Sequence, residues 1–105
     1  DVLMRMPERP TAIIAANNTL AIGTLQYLKL NQIQIPDDVS LLSYGNIENN
    51  ELFFVELGHA TLNPVTIAEK ATDFILSRIQ FPTLNNRESI FEPSILLKSS
   101  VKPVQ

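Results

Sequence analysis

Apolar positions recur along this chain in two rhythms. Thr11–Ala16, T-A-I-I-A-A, is a short apolar run bounded by Pro10 and Asn17. Such a run reads as a strand buried on both faces, as in a parallel sheet. A buried helix segment is the competing reading, and Pro10 with the Asn17-Asn18 pair favours the strand. From Thr19 to Leu30 the spacing becomes helical. At about 100° per residue, Tyr27, Leu20, Leu28, Ala21, Leu25 and Ile22 make an apolar arc. The arc is wider than the stripe needed to cover a sheet. Ile22 is therefore expected to face something else, either ordinary core or a subunit interface. Gly23 permits close approach of a backbone, at about 1 kcal/mol against Ala in a helix interior. Asn18 or Thr19 is expected to cap this helix.

The strand rhythm returns at Val39–Ser43, after a loop whose Ile35-Pro36-Asp37-Asp38 connects helix to strand. Strand, crossover helix and strand at this length imply parallel pairing. Asn17 and Asn18 then lie at the same sheet edge as Tyr44-Gly45-Asn46. In open α/β sheets, ligands bind beyond the carboxyl ends of the strands. Two polar turns at that edge make a candidate small-molecule site. Further on, Glu48–Phe54 reads as a short helix and Leu57–Leu62 has mild β character. Asn63-Pro64 starts the cleanest element, a helix over Pro64–Ile79. Its one face carries Ile67, Ala68, Ala71, Phe74, Ile75 and Ile79; Glu69, Lys70, Asp73 and Ser77 make the other. Gln80–Glu88 is a loop, Ile95–Leu97 a further strand and Val101–Gln105 a loosely held tail. Before all of these, Val2, Leu3, Met4 and Met6 suggest the last turn of a helix stopped by Pro7 and Pro10.

Composition narrows the function classes. A length of 105 residues suits one domain, and 45% hydrophobic against 18% charged residues makes it globular. Net charge is −3 and no Lys/Arg cluster exists, so this stretch carries no electrostatic footprint for nucleic acid. If the whole protein binds DNA, another segment does so. Cysteine is absent, which removes disulfides and thiolate chemistry. The apolar runs are too short to span a bilayer, and no signal-peptide pattern opens the chain. It begins at Asp1 rather than Met and is expected to be a piece of a longer protein.

Enzyme readings find little support. There is no Gly-rich phosphate loop, and His59, the single histidine, has no Cys or His companion for a metal. Ser43 lacks a nucleophile-elbow context. Asp37-Asp38, Glu48 and Glu51 read as solvated carboxylates. No enzyme activity, cofactor or metal is expected. His59 reads as a structural hydrogen-bonder rather than a ligand or pH switch. Asn17-x-Thr19 matches the glycosylation triplet by chance.

Two blocks carry a family resemblance. P-T-A-I-I-A-A-N-N-x-x-A-I-G at Pro10–Gly23, then I-P-D-D-V-S-L-L-S-Y at Ile35–Tyr44, resemble the LacI/GalR family of bacterial transcriptional regulators. The Leu57–Pro64 and Phe74–Ile79 segments take the places of that family's next two motifs. The resemblance covers nearly the whole chain, in order. It implies an α/β, periplasmic-binding-protein-like (Rossmann-like) parallel sheet with flanking helices, as an incomplete fragment of a two-subdomain core. Residues 1–56 would belong to the C-terminal subdomain. Residues 57–88 would hold a crossover and a helix of the N-terminal subdomain, and 89–105 a returning strand and tail. An isolated fragment of that kind leaves sheet edges and apolar faces uncovered.

The resemblance further implies a cytoplasmic repressor. It would bind a sugar or sugar phosphate between its subdomains and operator DNA through an N-terminal domain absent from this chain. The implied ligand-binding residues are Asn17, Asn18, Gly45, Asn46 and Leu62 or Asn63. The implied homodimer interface holds Ile22, Leu52 and Phe53. The sequence also departs from the family. Asn18 and Gly45 stand where Asp is usual, and Gly58-His59 replaces a Thr pair. The site has thus lost carboxylate acceptors that sugar hydroxyls would meet. The bland alternatives are that Asn17 and Asn18 only cap and turn, and that Gly45 only supplies positive φ. Two other functions stay open. One is a periplasmic sugar-binding protein of a transport system; the other is a core retained only for dimerisation.

Overall fold

The computed structural model describes residues 2–104; Asp1 and Gln105, read above as parts of the opening turn and the tail, lie outside them. In chain order the elements are β1 (Ala12–Ala15), α1 (Asn18–Leu30), β2 (Ser40–Tyr44), β3 (Gly58–Thr61), α2 (Pro64–Gln80) and β4 (Ser94–Leu96). Single 3-10 turns occupy Leu3–Arg5 and Asn50–Leu52. The strands form one sheet in the order β1-β2-β3-β4. β1 pairs parallel with β2, Ile13 beside Leu41 and Ala15 beside Ser43. β2 pairs parallel with β3, and Ser43 faces His59 across the ladder.

The chain divides into two compact units, 1–61 with 95–105, and 62–94. The core of the first lies between α1 and the sheet. Ala21, Leu25 and Leu28 of α1 meet Ala15, Leu41 and Leu57, with Val39, Ile47 and Val55 closing the cluster. Leu28, Val39 and Leu41 are fully buried, and each is worth roughly 1.5–3 kcal/mol of burial. The second unit is built on α2. Asn63 caps it, accepting from Val65 N at 3.0 Å and Thr66 N at 3.4 Å, with Pro64 at its first position. At its other end the Arg78 guanidinium donates to the carbonyls of Pro82, Leu84 and Asn85. That fork holds the following loop, and the Arg87 guanidinium sits 4.4 Å over the Phe74 ring.

Several expectations are corrected. β1 is not buried on both faces: Ile14 is 73% exposed, because α1 covers only the face that Ile13 and Ala15 share. The cap of α1 is Asn17, not Asn18 or Thr19, since its extended backbone lets its side chain reach Leu20 N. No atom outside the local chain would lie within 4 Å of a Cβ at Gly23, so no backbone approaches there. The helices read at the start of the chain and at Glu48–Phe54 shorten to 3-10 turns. The tail expected to be loosely held is tied down at Lys102. Lys102 N donates to Ser40 Oγ, and its ammonium pairs with Asp37 at 2.8 Å.

Candidate functional site

The site is built where β1, β2 and β3 end. Asn17 follows β1, and its Oδ1 accepts from Leu20 N at 2.8 Å. That bond satisfies one of the orphan donors of the first helical turn. Asn18 is the first residue of α1, and its Nδ2 donates to Asn46 O at 3.1 Å. The turn after β1 is thereby tied to the turn after β2. Gly45 lies between the two at φ +108°, a conformation that side chains rarely adopt. Its N–H donates to Ala60 O at 2.7 Å, which ties the same turn to β3. Asn17, Asn18, Gly45 and Asn46 are therefore brought together at one edge.

That edge holds amides, backbone groups and the hydroxyl-bearing Tyr44 and Thr61. None of Ala16–Asn18, Tyr44–Asn46 or Ala60-Thr61 carries a charge. Amides donate and accept at once, which suits the hydroxyls of a neutral ligand. Leu62 and Asn63 open the second unit, where the Asn63 side chain is engaged as the α2 cap.

Buried polar groups support the edge from behind. Asn50 accepts from Leu57 N and donates to Leu57 O, both at 2.8 Å, so one side-chain amide satisfies a whole peptide position entering β3. Ser100 Oγ donates to Leu41 O at 2.6 Å and accepts from Gly58 N at 2.8 Å. Gly58 is tightly enclosed: a Cβ would lie 3.2 Å from Val101 and 3.3 Å from the Leu96 carbonyl oxygen, so its neighbours would have to give by a few tenths of an ångström. His59 is buried beside Ser43, with Nδ1 3.4 Å from Leu57 O. Among the described residues, the enclosed Ser43 Oγ has no hydrogen-bond partner. Sequence reasoning missed Asn50 and Ser100. Their signal was slight: Asn49-Asn50 interrupts an otherwise amphipathic turn, and Ser99-Ser100 separates Leu97 from Val101.

A second feature lies on α1. Ile22 lines a shallow groove of about 270 Å³ with Leu25, Gln26, Lys29, Leu52, Phe53 and Phe54. Leu52 is 77% exposed and Ile22 39%. The three residues expected at an interface thus share one apolar surface, with the Lys29 ammonium 5.2 Å over the Phe54 ring.

The model of the periplasmic binding protein-like domain matches residues 1–101. The chain belongs to this family. Among periplasmic binding protein-like sequences, it is 33% identical over 102 residues to the HTH-type transcriptional repressor PurR of Vibrio parahaemolyticus. That match covers 97% of this chain and 30% of the relative. It is 28% identical over 99 residues to the ribose operon repressor of Haemophilus influenzae, covering 94% and 30%. A LacI family transcriptional regulator from Enterococcus faecium, solved with bound ribose, superposes with a TM-score of 0.81 at 25% identity. There the match takes in 99% of this chain and 38% of the other. The LacI/GalR resemblance and the α/β periplasmic-binding-protein-like fold read from the sequence are both borne out. The chain spans about 30% of the length of the repressors it matches.

Proposed function

We propose that this chain is the effector-binding and dimerisation segment of a LacI-type transcriptional repressor that responds to a small sugar-like molecule. The observation that carries the reading is the joined edge of β1, β2 and β3. Asn18 to Asn46 and Gly45 to Ala60 join the turns after β1 and β2 to each other and to the end of β3, with uncharged donors and acceptors along that edge. Relatives named as repressors, and one regulator solved with ribose, support assigning that edge to an effector.

The mechanism is differential affinity. An effector that favours one arrangement of the core over another shifts DNA-binding competence by the difference in its two affinities. The groove of Ile22, Leu52 and Phe53 is the surface that pairs two copies. Operator contacts come from a DNA-binding domain outside this stretch, the protein acts in the cytoplasm, and it catalyses no reaction. The test uses full-length protein and a labelled operator fragment in fluorescence anisotropy. D-ribose is expected to shift operator affinity on the order of tenfold. A full-length protein that binds no DNA and is recovered from the periplasm would replace this reading with the transport-type one.

A further inference from the structure

The two sides of the α1 groove carry opposite charge. Lys29 stands on the α1 side and is the one charged residue in the whole span Asn18–Leu30. The other side is the segment 48–54, which carries Glu48 and Glu51 and no Lys or Arg. Glu51 immediately precedes Leu52 at the groove, whereas Glu48 is set back behind the buried Asn50. Lys29 and Glu51 are both exposed, and among the described residues neither belongs to an ion pair. The Lys29 ammonium lies over the Phe54 ring instead, which holds it at the groove rather than out in solvent. Between the two charges the surface is apolar, with Ile22, Leu52 and Phe54 exposed.

A surface that joins two identical copies must match itself after a half-turn, and each contact then occurs twice. Setting α1 against α1 gives Lys29 no acid to meet and brings the two acidic segments together. Setting α1 of one copy against residues 48–54 of the other matches cation with carboxylate on both sides. Resting on the dimerisation reading above, we propose that Lys29 of each copy pairs with Glu51 of the partner subunit. This reciprocal pair fixes the register of the dimer and selects a second copy of this chain as the occupant of the groove. Charges at the edge of an apolar contact set partner and register more than raw affinity. A relative without the complementary charges matches the apolar centre and fails at both ends.

The test is a charge exchange in the full-length protein, read as dimer dissociation constants by sedimentation velocity. Lys29→Glu alone sets two acids together at each end of the interface, and Glu51→Lys alone sets two bases together. Each variant is expected to dimerise about tenfold more weakly than wild type. Mixed one to one, the two variants restore an opposite pair at both ends. The mixture is expected to return to within about threefold of the wild-type constant, which also shows that both variants fold. In about 1 M NaCl the differences should shrink, because screening then acts within about 3 Å. A mixture that associates no better than its components overturns the pairing, as does a mixing effect that ignores salt. If both variants dimerise like wild type while Ile22→Glu is monomeric, the ion pair falls and the groove stands. If wild type is itself monomeric, or Ile22→Glu stays dimeric, the dimerisation reading of the groove falls, and the pair with it.

Discussion

Asn50 shows how a single amide can hold a strand in place. Its two bonds to Leu57 satisfy an N–H and a carbonyl that burial removes from water. Removing the side chain leaves both unmet, at roughly 1–3 kcal/mol each. Asn50→Ala is therefore expected to lower stability by about 2–6 kcal/mol, read as a lower denaturant midpoint with unchanged slope. Asn50→Asp keeps the acceptor for Leu57 N but sets an anionic oxygen against Leu57 O, so near neutral pH it should destabilise at least as much. The residue scale was the least legible in the sequence. Asn17 was placed correctly at the strand end, but which of Asn17, Asn18 and Thr19 caps the helix depends on a backbone angle that composition does not report. Asn50 and Ser100 act across 7 and 59 positions of chain. No local pattern encodes such pairings.

Elements were far more legible. The α2 start at Asn63-Pro64 was read to the residue, because capping and proline act within one turn. β1, α1 and β2 were found within a residue or two at each end, since period and punctuation agree there. The exceptions were the opening turn, which is a single 3-10 turn at Leu3–Arg5, and Glu48–Phe54, whose three apolar residues suggested a helix but sit on a 3-10 turn and the segment leaving it. On α1 the broad arc resolves into a buried centre, Ala21, Leu25 and Leu28, with an apolar flank on each side. One flank, Leu20 and Tyr27, lines a cavity with Leu3, Met4 and Ile13. The other is Ile22 with its groove. If that groove joins two copies, Ile22→Glu places a charge in an apolar contact and is expected to give a monomer in sedimentation velocity at micromolar protein. A profile that remains dimeric would count against the groove.

Taken whole, the molecule leaves large apolar surfaces in water. α2 has no buried residue, and Ile75 and Ile79 are 61% and 70% exposed. Burial, not propensity, supplies most helical stability in proteins. The isolated 105 residues are thus expected to show weak amide protection in α2 and stronger protection in β1, β2 and α1. Strong and uniform protection by hydrogen exchange would sink that expectation.

The closing segment sharpens the picture of how the first unit is made. Ser100 bonds to Leu41 and Gly58, and Lys102 N to Ser40. Residues 62–94, the second unit, come between those partners in the chain. During synthesis the ribosome therefore has to deliver the whole of the second unit before the first can finish. Until then the Leu41 carbonyl and the Gly58 N–H lack the Ser100 hydroxyl that satisfies them in the finished unit.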